Sequence, residues 1–378
     1  MTDRTALADV LAPHVVKGPV PGAVALVARG DDVEVAAVGH TDAEGSRPMA
    51  RDTIFRIASL TKPVVAAAVL TLVEDGRLTL DAPIAHWLPE LESPGVVRDP
   101  AGPMEDVVPA VRPITVEDLL TFRAGWGFAP DFSLPALRPL FALMNPFHPQ
   151  QVPDPDTWLA GLSRVPLLHQ PGEAWLYNAC SDLQGVLIAR ATGSSLPEYL
   201  DERVFGPLGM KDTGFRVPAD RRDRFTSFYT PTPDGGAELV DRPDGDWSEL
   251  PAFPSGAGGL VSTADDLWAF ARMLLSGGGD VLSADSVRLM TTNHLTDAQR
   301  AASELFLEGQ GWGYGGTVDV TLRDPWNVPG RYGWVGGFGT AAHLTPSTGL
   351  VTVLMTQYAM TGPTPTPMMR EFWAYAAS

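Results

Sequence analysis

From Pro63 to Val73 the chain reads PVVAAAVLTLV, with no charge and one hydroxyl, Thr71. Apolar residues at every helical phase leave no face for water, so a helix here is predicted to be buried on all sides. Pro63 suits its first turn, where the missing N–H has no partner to lose, and Asp75-Gly76 closes it. Upstream, residues 4–16 read as a short amphipathic helix. Gly22–Ala28 and Val33–Gly39 read as two strands joined by a hairpin at Gly30-Asp31-Asp32. Thr115 and Asp118 are spaced as a capping box, and Ser262-Thr263-Ala264-Asp265 caps a helix through Leu275. Helices are also expected over Leu183–Thr192, Pro197–Phe205, Ser283–Thr291 and Pro367–Ala377, and strands over Gly311–Val320, Gly339–Thr345 and Leu350–Gln357.

Two stretches lack a clear period. Residues 92–113 are a loop rich in Pro, Gly and acid, and 215–255 read as irregular strands and loops. Residues 126–171 combine many prolines with Trp126, Phe128, Phe132, Phe141, Met144, Phe147 and Trp158. A long apolar region of little regular structure suits the cap of a pocket, or equally a surface for homodimerisation. With strands at both ends and helices between, the pattern predicts an α+β fold. It has a mixed, mostly antiparallel sheet built by both chain ends, flanking helices and a helical part inserted in the middle. The whole of 1–378 is read as one catalytic unit, with the α/β part at about 1–80 and 260–378 and the helical part at about 81–259.

Composition narrows the function. A net charge of −18 disfavours nucleic acid and anionic membranes as partners and admits neutral or cationic substrates more readily than anions. A single cysteine, Cys180, excludes an intrachain disulfide and a multi-thiolate metal site. The seven histidines form no H-x-x-H or H-E-x-x-H pair, so neither a metal nor a cofactor is expected. The N-terminus carries Asp3 and Asp9 without a continuous apolar core, unlike a signal peptide, and no run reaches membrane-spanning length. A cytoplasmic protein is expected.

The candidate chemistry sits at the mouth of the buried helix, in Ser59-Leu60-Thr61-Lys62. On a helical turn, positions i and i+3 share a face, so Ser59 Oγ and Lys62 Nζ can meet. Burial lowers a lysine's pKa, and a neutral amine is the base a serine nucleophile needs. Of 27 basic residues only Lys17, Lys62 and Lys211 are lysines. An arginine at position 62 would never give up its proton. The bland alternative is a Ser59 helix cap with Lys62 reaching out to solvent. Tyr177, at a helix entrance, is a candidate proton relay whose pKa an adjacent ammonium would pull down. The glycine-dense stretch Gly333-Trp334-Val335-Gly336-Gly337 could bring a backbone N–H to a ligand, forming an oxyanion hole with the N–H of Ser59.

Together, FRIASLTKP, DGRLTLD, ITVEDLLTFRAGWG, PGEAWLYNACSDLQGVLIARATG, RVFGPLGMKDTGF and SGAGGLVSTADDLWAF resemble the serine β-lactamase-like superfamily. Within it the chain is most similar to the class C and penicillin-binding-protein-like branch and its relatives, the family VIII carboxylesterases. The resemblance runs in order from about residue 20 to 360. It implies a β-lactamase/transpeptidase-like fold with Ser59 as nucleophile, Lys62 as base, Tyr177 from the family's Y-x-N motif, and Gly337 as second oxyanion donor. Ala179 stands where the family's Y-x-N has asparagine, and Trp334-Val335-Gly336 stands where β-lactamases have K-T-G. Both departures remove groups that hold a β-lactam, and W-x-G is the variant of the esterases.

The expectation is therefore a serine hydrolase of short-to-medium acyl or aryl esters acting through an acyl-enzyme. Trp334, Gly336, Trp126, Phe128 and Phe141 are expected to bind substrate. Alternatives of the same fold are a β-lactamase, a D-amino-acid peptidase or amidase, and an acyltransferase. A catalytically inactive ligand-binding relative is the non-enzymatic one. No G-x-S-x-G is present to support an α/β-hydrolase nucleophile elbow.

Overall fold

A computed structural model describes residues 6–145 and 148–378. Phe147, one of the aromatics of the 126–171 stretch, lies outside the described residues. The seven-stranded sheet takes its strands from both ends of the chain: β1 (Gly22–Arg29), β2 (Asp32–Gly39), β3 (Gly311–Trp312), β4 (Thr317–Val318), β5 (Tyr332–Gly336), β6 (Thr340–Thr345) and β7 (Leu350–Thr356). Their order is β2-β1-β7-β6-β5-β4-β3. Every pairing in this sheet is antiparallel, so the mixed character expected of it is confined to isolated parallel bridges elsewhere, such as Ile54 with Phe225. The β1–β2 hairpin turns at Gly30-Asp31, with Arg29 opposite Asp32.

Side-chain alternation gives β6 two buried faces. Ala342 and Leu344 share an apolar contact region with Leu267 and Phe270 of the helix Ala264–Leu275. His343 points the other way, against Trp373 of the C-terminal helix Pro367–Ala377. The apolar stretch at 63–73 forms α2 (Thr61–Glu74, with α1 at Leu7–Val16), buried from Thr61 through Leu72 as its composition requires. It packs against α3 (Ala179–Thr192), the helix that follows Tyr177.

Two of the element readings that the structure corrects bear on the site. Residues 126–171 hold two helices, Leu137–Met144 and Pro155–Leu162, the second capped by Asp154 and led by Pro155. Dense proline hid them, although proline in a first helical turn costs nothing. Residues 332–336, in the glycine-dense stretch and outside the expected strands, are the interior strand β5, paired on both sides.

Candidate active site

Ser59 lies in a 3₁₀ turn, Ala58–Leu60, that runs into α2. The residue before it, Ala58, holds a left-handed φ of 45°. That conformation is sparsely populated for residues with a Cβ, and the surroundings must hold it in place. They do so by backbone contacts: Ile57 N–H donates to Leu260 O (3.0 Å), and Thr340 Oγ1 donates to Ile57 O (3.0 Å). β5 comes close enough for this because Gly336 has no side chain. A Cβ there would stand 2.5 Å from Ile57 O and 2.2 Å from Thr340 Oγ1. Gly336 therefore shapes the nucleophile turn from behind and does not line the cleft.

Ser59 makes no helix-capping bond. Its Oγ accepts from Lys62 Nζ at 2.9 Å, and the same ammonium nitrogen donates to Ala257 O at 2.6 Å. Lys62 is fully buried, so it does not reach out to solvent. Loss of hydration pushes its pKa down to about 7, against the opposing pull of the Asp182 carboxylate. Asp182 is buried in α3, and its Oδ1 accepts from Ser255 Oγ (2.7 Å) and from Ala257 N–H (3.0 Å). One residue, Ala257, thus bridges the pair, its N–H on the carboxylate and its carbonyl on the amine. Burial pushes Asp182 up, to about 6. Facing charges of this kind lose protons as a pair.

Tyr177 sits beside them, with Lys62 Nζ 4.6 Å from its ring centroid. Its phenol is hydrogen-bonded with Ser59 and accepts from Trp334 Nε1 at 2.7 Å. Phe306 (5.3 Å), Trp334 (5.6 Å) and Trp175 (5.8 Å) surround the ring. This aromatic wall reverses the sequence expectation. Burial dominates, and the phenol is pushed up to about 12. Tyr177 stays protonated at neutral pH and can pass a proton along but cannot serve as a standing phenolate.

Ser59, Tyr177, Asp182 and Gly337 open onto one cleft, with Phe128, Met144, Asn178 and Phe338 among its walls and about 650 Å³ of empty space, solvent at the mouth included. A Cβ on Gly337 would meet nothing within 4 Å, so its backbone faces that open space. The N–H groups of Ser59 and Gly337 have no partner among the described residues and are free to receive an oxyanion. Phe128 is set on the wall by a two-way backbone pairing with Tyr177, and Phe141 stacks behind it at 4.2 Å.

Not every expected substrate contact is on the cleft. Trp126 is buried in the core, its indole N–H held by Val165 O at 2.8 Å. Trp334 is 5% exposed and absent from the cleft wall; it holds the Tyr177 phenol instead. Ala179 is buried at the start of α3, while Asn178 lines the cleft. Asn178 has a φ of 90°, and its Nδ2 donates to Met144 Sδ at 3.4 Å. An amide is thus present one position before the one the family motif uses.

Asp182 was not legible from sequence. An acid in a first helical turn reads as an ordinary dipole partner, and only folding brings it to Lys62. The role of Trp334 carries a test. Trp334→Phe keeps the ring and removes one hydrogen bond, so kcat should fall about tenfold with KM little changed. An unaltered kcat would mean that the indole does not orient the phenol.

Among the described residues no group of three or more His, Cys, Asp or Glu is placed to hold a metal ion, and no helix is long and apolar enough to cross a membrane.

The family model named Beta-lactamase matches residues 7–369. A Mycobacterium tuberculosis relative, Protein Rv1367c, is 39% identical over 363 residues, covering 90% of this chain and 86% of its own. Esterase EstB of Burkholderia gladioli is 32% identical over 358 residues, covering 90% of this chain and 87% of its own. The solved structure of "EstCE1, a hydrolase with promiscuous acyltransferase activity" superposes with a TM-score of 0.81 over 98% of this chain and 97% of its own, at 24% identity. At that identity the superposition speaks for the fold.

Proposed function

The chain belongs to the beta-lactamase family, and within that family we propose that it is a serine hydrolase of carboxylic esters working through an acyl-enzyme. The observation that carries the proposal is Lys62 Nζ, buried, poised at about 7 and 2.9 Å from Ser59 Oγ in a cleft whose described walls contain no arginine or lysine. Ser59 Oγ attacks the ester carbonyl and its proton passes to neutral Lys62. The Ser59 and Gly337 N–H groups receive the oxyanion. As the C–O bond breaks, the Tyr177 hydroxyl gives its proton to the departing alkoxide and regains one from the Lys62 ammonium. Water then attacks the acyl-enzyme by the reverse of the same transfers. A neutral short acyl or aryl ester fits a wall of Phe128, Met144 and Phe338. A substrate carboxylate, such as a β-lactam's, would meet Asp182 and no cation besides the buried Lys62 amine. The esterase EstB at 32% identity supports the same reading.

Parallel turnover of p-nitrophenyl butyrate and nitrocefin tests it. The ester is expected to be cleaved with a kcat/KM about a thousandfold higher. Comparable or preferential nitrocefin turnover would overturn the esterase assignment and point to Asn178 as a β-lactam contact.

The pH dependence follows from the same geometry. Lys62 must be neutral to accept the serine proton, and its pKa is lowered to about 7. Ester kcat/KM should therefore rise with pH, about tenfold per unit below pH 7, and level off above it. Tyr177, held at about 12, gives no alkaline limb in the working range. The groups facing the amine are Asp182, Ser59 and Tyr177. Asp182→Asn removes the one negative charge among them, so the acid limb should move to lower pH. A limb that moves up or stays fixed would separate Asp182 from the titration of Lys62.

A further inference from the structure

On the face of the sheet away from the active cleft, the C-terminal helix Pro367–Ala377 leaves a cavity against the ends of β1, β6 and β7, about 700 Å³ with the solvent at its mouth. In a chain of net charge −18 its lining is unusual: two arginines, Arg29 and Arg331, and no Asp or Glu side chain. Ser378, at the rim, donates its hydroxyl to Tyr375 O at 2.8 Å.

Three lining side chains carry a buried polar atom without a partner: Arg331 Nη2, Thr352 Oγ1 and Trp373 Nε1. Arg331 is 6%, and Thr352 and Trp373 are each 4%, exposed. Two of the three atoms can only donate, and the hydroxyl can donate as well. A donor set buried without acceptors is costly, and the cost is recovered when an acceptor arrives. Asp319 pairs with the guanidinium through Arg331 Nη1 and leaves Nη2 without an acceptor. Asp319 Oδ2 is 3.6 Å from Arg331 Nη1, and it already accepts from Asn327 Nδ2 (2.8 Å) and Val328 N–H (3.2 Å). Arg331 Nη2 is left over, with the guanidinium carbon 5.1 Å from the Trp373 ring centroid. Burial lowers the Arg331 pKa to about 10, which leaves it charged at neutral pH. The rest of the lining combines an apolar part, with Trp326, Val328 and Leu350, and the hydroxyl residues Thr345, Thr348 and Ser378.

We infer that this cavity is a second binding site, distinct from the Ser59 cleft, for a small carboxylate carried on an apolar body, such as an aryl or short-chain carboxylic acid. The carboxylate engages the Arg331 guanidinium, with the Thr352 hydroxyl and Trp373 indole as further donors. Arg29, at the mouth and tied to Ala376 O at 2.7 Å, adds a second positive charge. The apolar part of the wall, Trp326, Val328 and Leu350, favours an organic acid over a bare inorganic anion.

The test uses 4-bromobenzoate, its neutral analogue 4-bromobenzamide and inorganic phosphate. Titration calorimetry on the full chain should give a benzoate affinity about tenfold above that of the amide and of phosphate. Anomalous scattering from crystals soaked in the bromobenzoate should place bromine in this cavity. The Thr352→Val/Trp373→Phe double variant, which deletes two neutral donors and leaves every charge paired as before, should bind about fivefold more weakly or worse. Bromine found only in the Ser59 cleft or nowhere overturns the inference, as does amide binding as tight as benzoate. Phosphate binding as tight as benzoate overturns the organic-acid assignment. The bromine position and the amide comparison use the wild-type protein, so they decide the matter even if the double variant does not fold.

Discussion

Ser59→Ala is expected to lower p-nitrophenyl butyrate turnover by at least about 10⁴-fold while leaving the fold intact. The nucleophile's hydroxyl is the atom on which the proposed chemistry turns, and the other serine on the cleft, Ser255, has its hydroxyl committed to Asp182 Oδ1 at 2.7 Å. Cys180 is wholly buried, and burial pushes its thiol up to about 12. Tyr177 is a neutral phenol hemmed in by aromatics. The stability cost should be small. Ser59 is half-buried, and without its Oγ the Lys62 amine keeps its 2.6 Å bond to Ala257 O. A shift in unfolding free energy of under about 1 kcal/mol is expected. Steady-state hydrolysis beside a thermal melt decides the case. Residual activity near wild type with an unchanged melt would remove Ser59 from the mechanism. Fluorophosphonate labelling of wild type but not of the variant gives a readout independent of substrate choice.

Lys62→Met should cost about 10³-fold or more in kcat/KM and retain the fold. Methionine fills a site that is 0% exposed with a side chain of similar length and no proton to exchange. Asp182 keeps its bonds from Ser255 and Ala257, and the desolvation penalty of the amine disappears. Lys62→Arg separates charge from proton transfer. Arginine keeps a cation beside Ser59 and Tyr177 but never becomes a base. If the amine acts by taking the serine proton, both variants fail. If positive charge alone were enough, the arginine variant would keep most of the activity once its folding is verified, and the general-base role would be wrong.

The two variants probe the part of the site most plainly written in the sequence. Ser59 and Lys62 are three residues apart at the start of an all-apolar segment. A helical turn brings them together whatever the rest of the chain does, because i to i+3 proximity is a property of the backbone. The burial of α2, the hairpin at Gly30-Asp31 and the capping box at Thr115 are local in the same sense. Each is set by composition or spacing within a dozen residues. Local reading offered Tyr177 and the glycine-dense stretch at 333–337 only as candidates; resemblance to a family gave Tyr177 its place in a motif and picked Gly337 out of the glycines. The pairing of strands from the two chain ends follows from their alternation only in outline. That the sheet is antiparallel throughout became clear only from its register.

The tertiary structure decided what lies between distant positions. Trp126 and Trp334 look alike as aromatic candidates in sequence. One is pinned to Val165 in the core and the other donates to the Tyr177 phenol, and neither lines the cleft. The expected lowering of the Tyr177 pKa by a neighbouring ammonium was outweighed by the desolvation that its aromatic neighbours impose. Asp182 and the Ala257 peptide reach Lys62 only because α3 packs beside α2 and the loop around Ser255 closes over both. Sequence spacing fixes which atoms can meet along one turn of backbone. Which buried groups face one another across the fold, and therefore which proton is held and which is free to move, depends on non-local packing and the dielectric it creates.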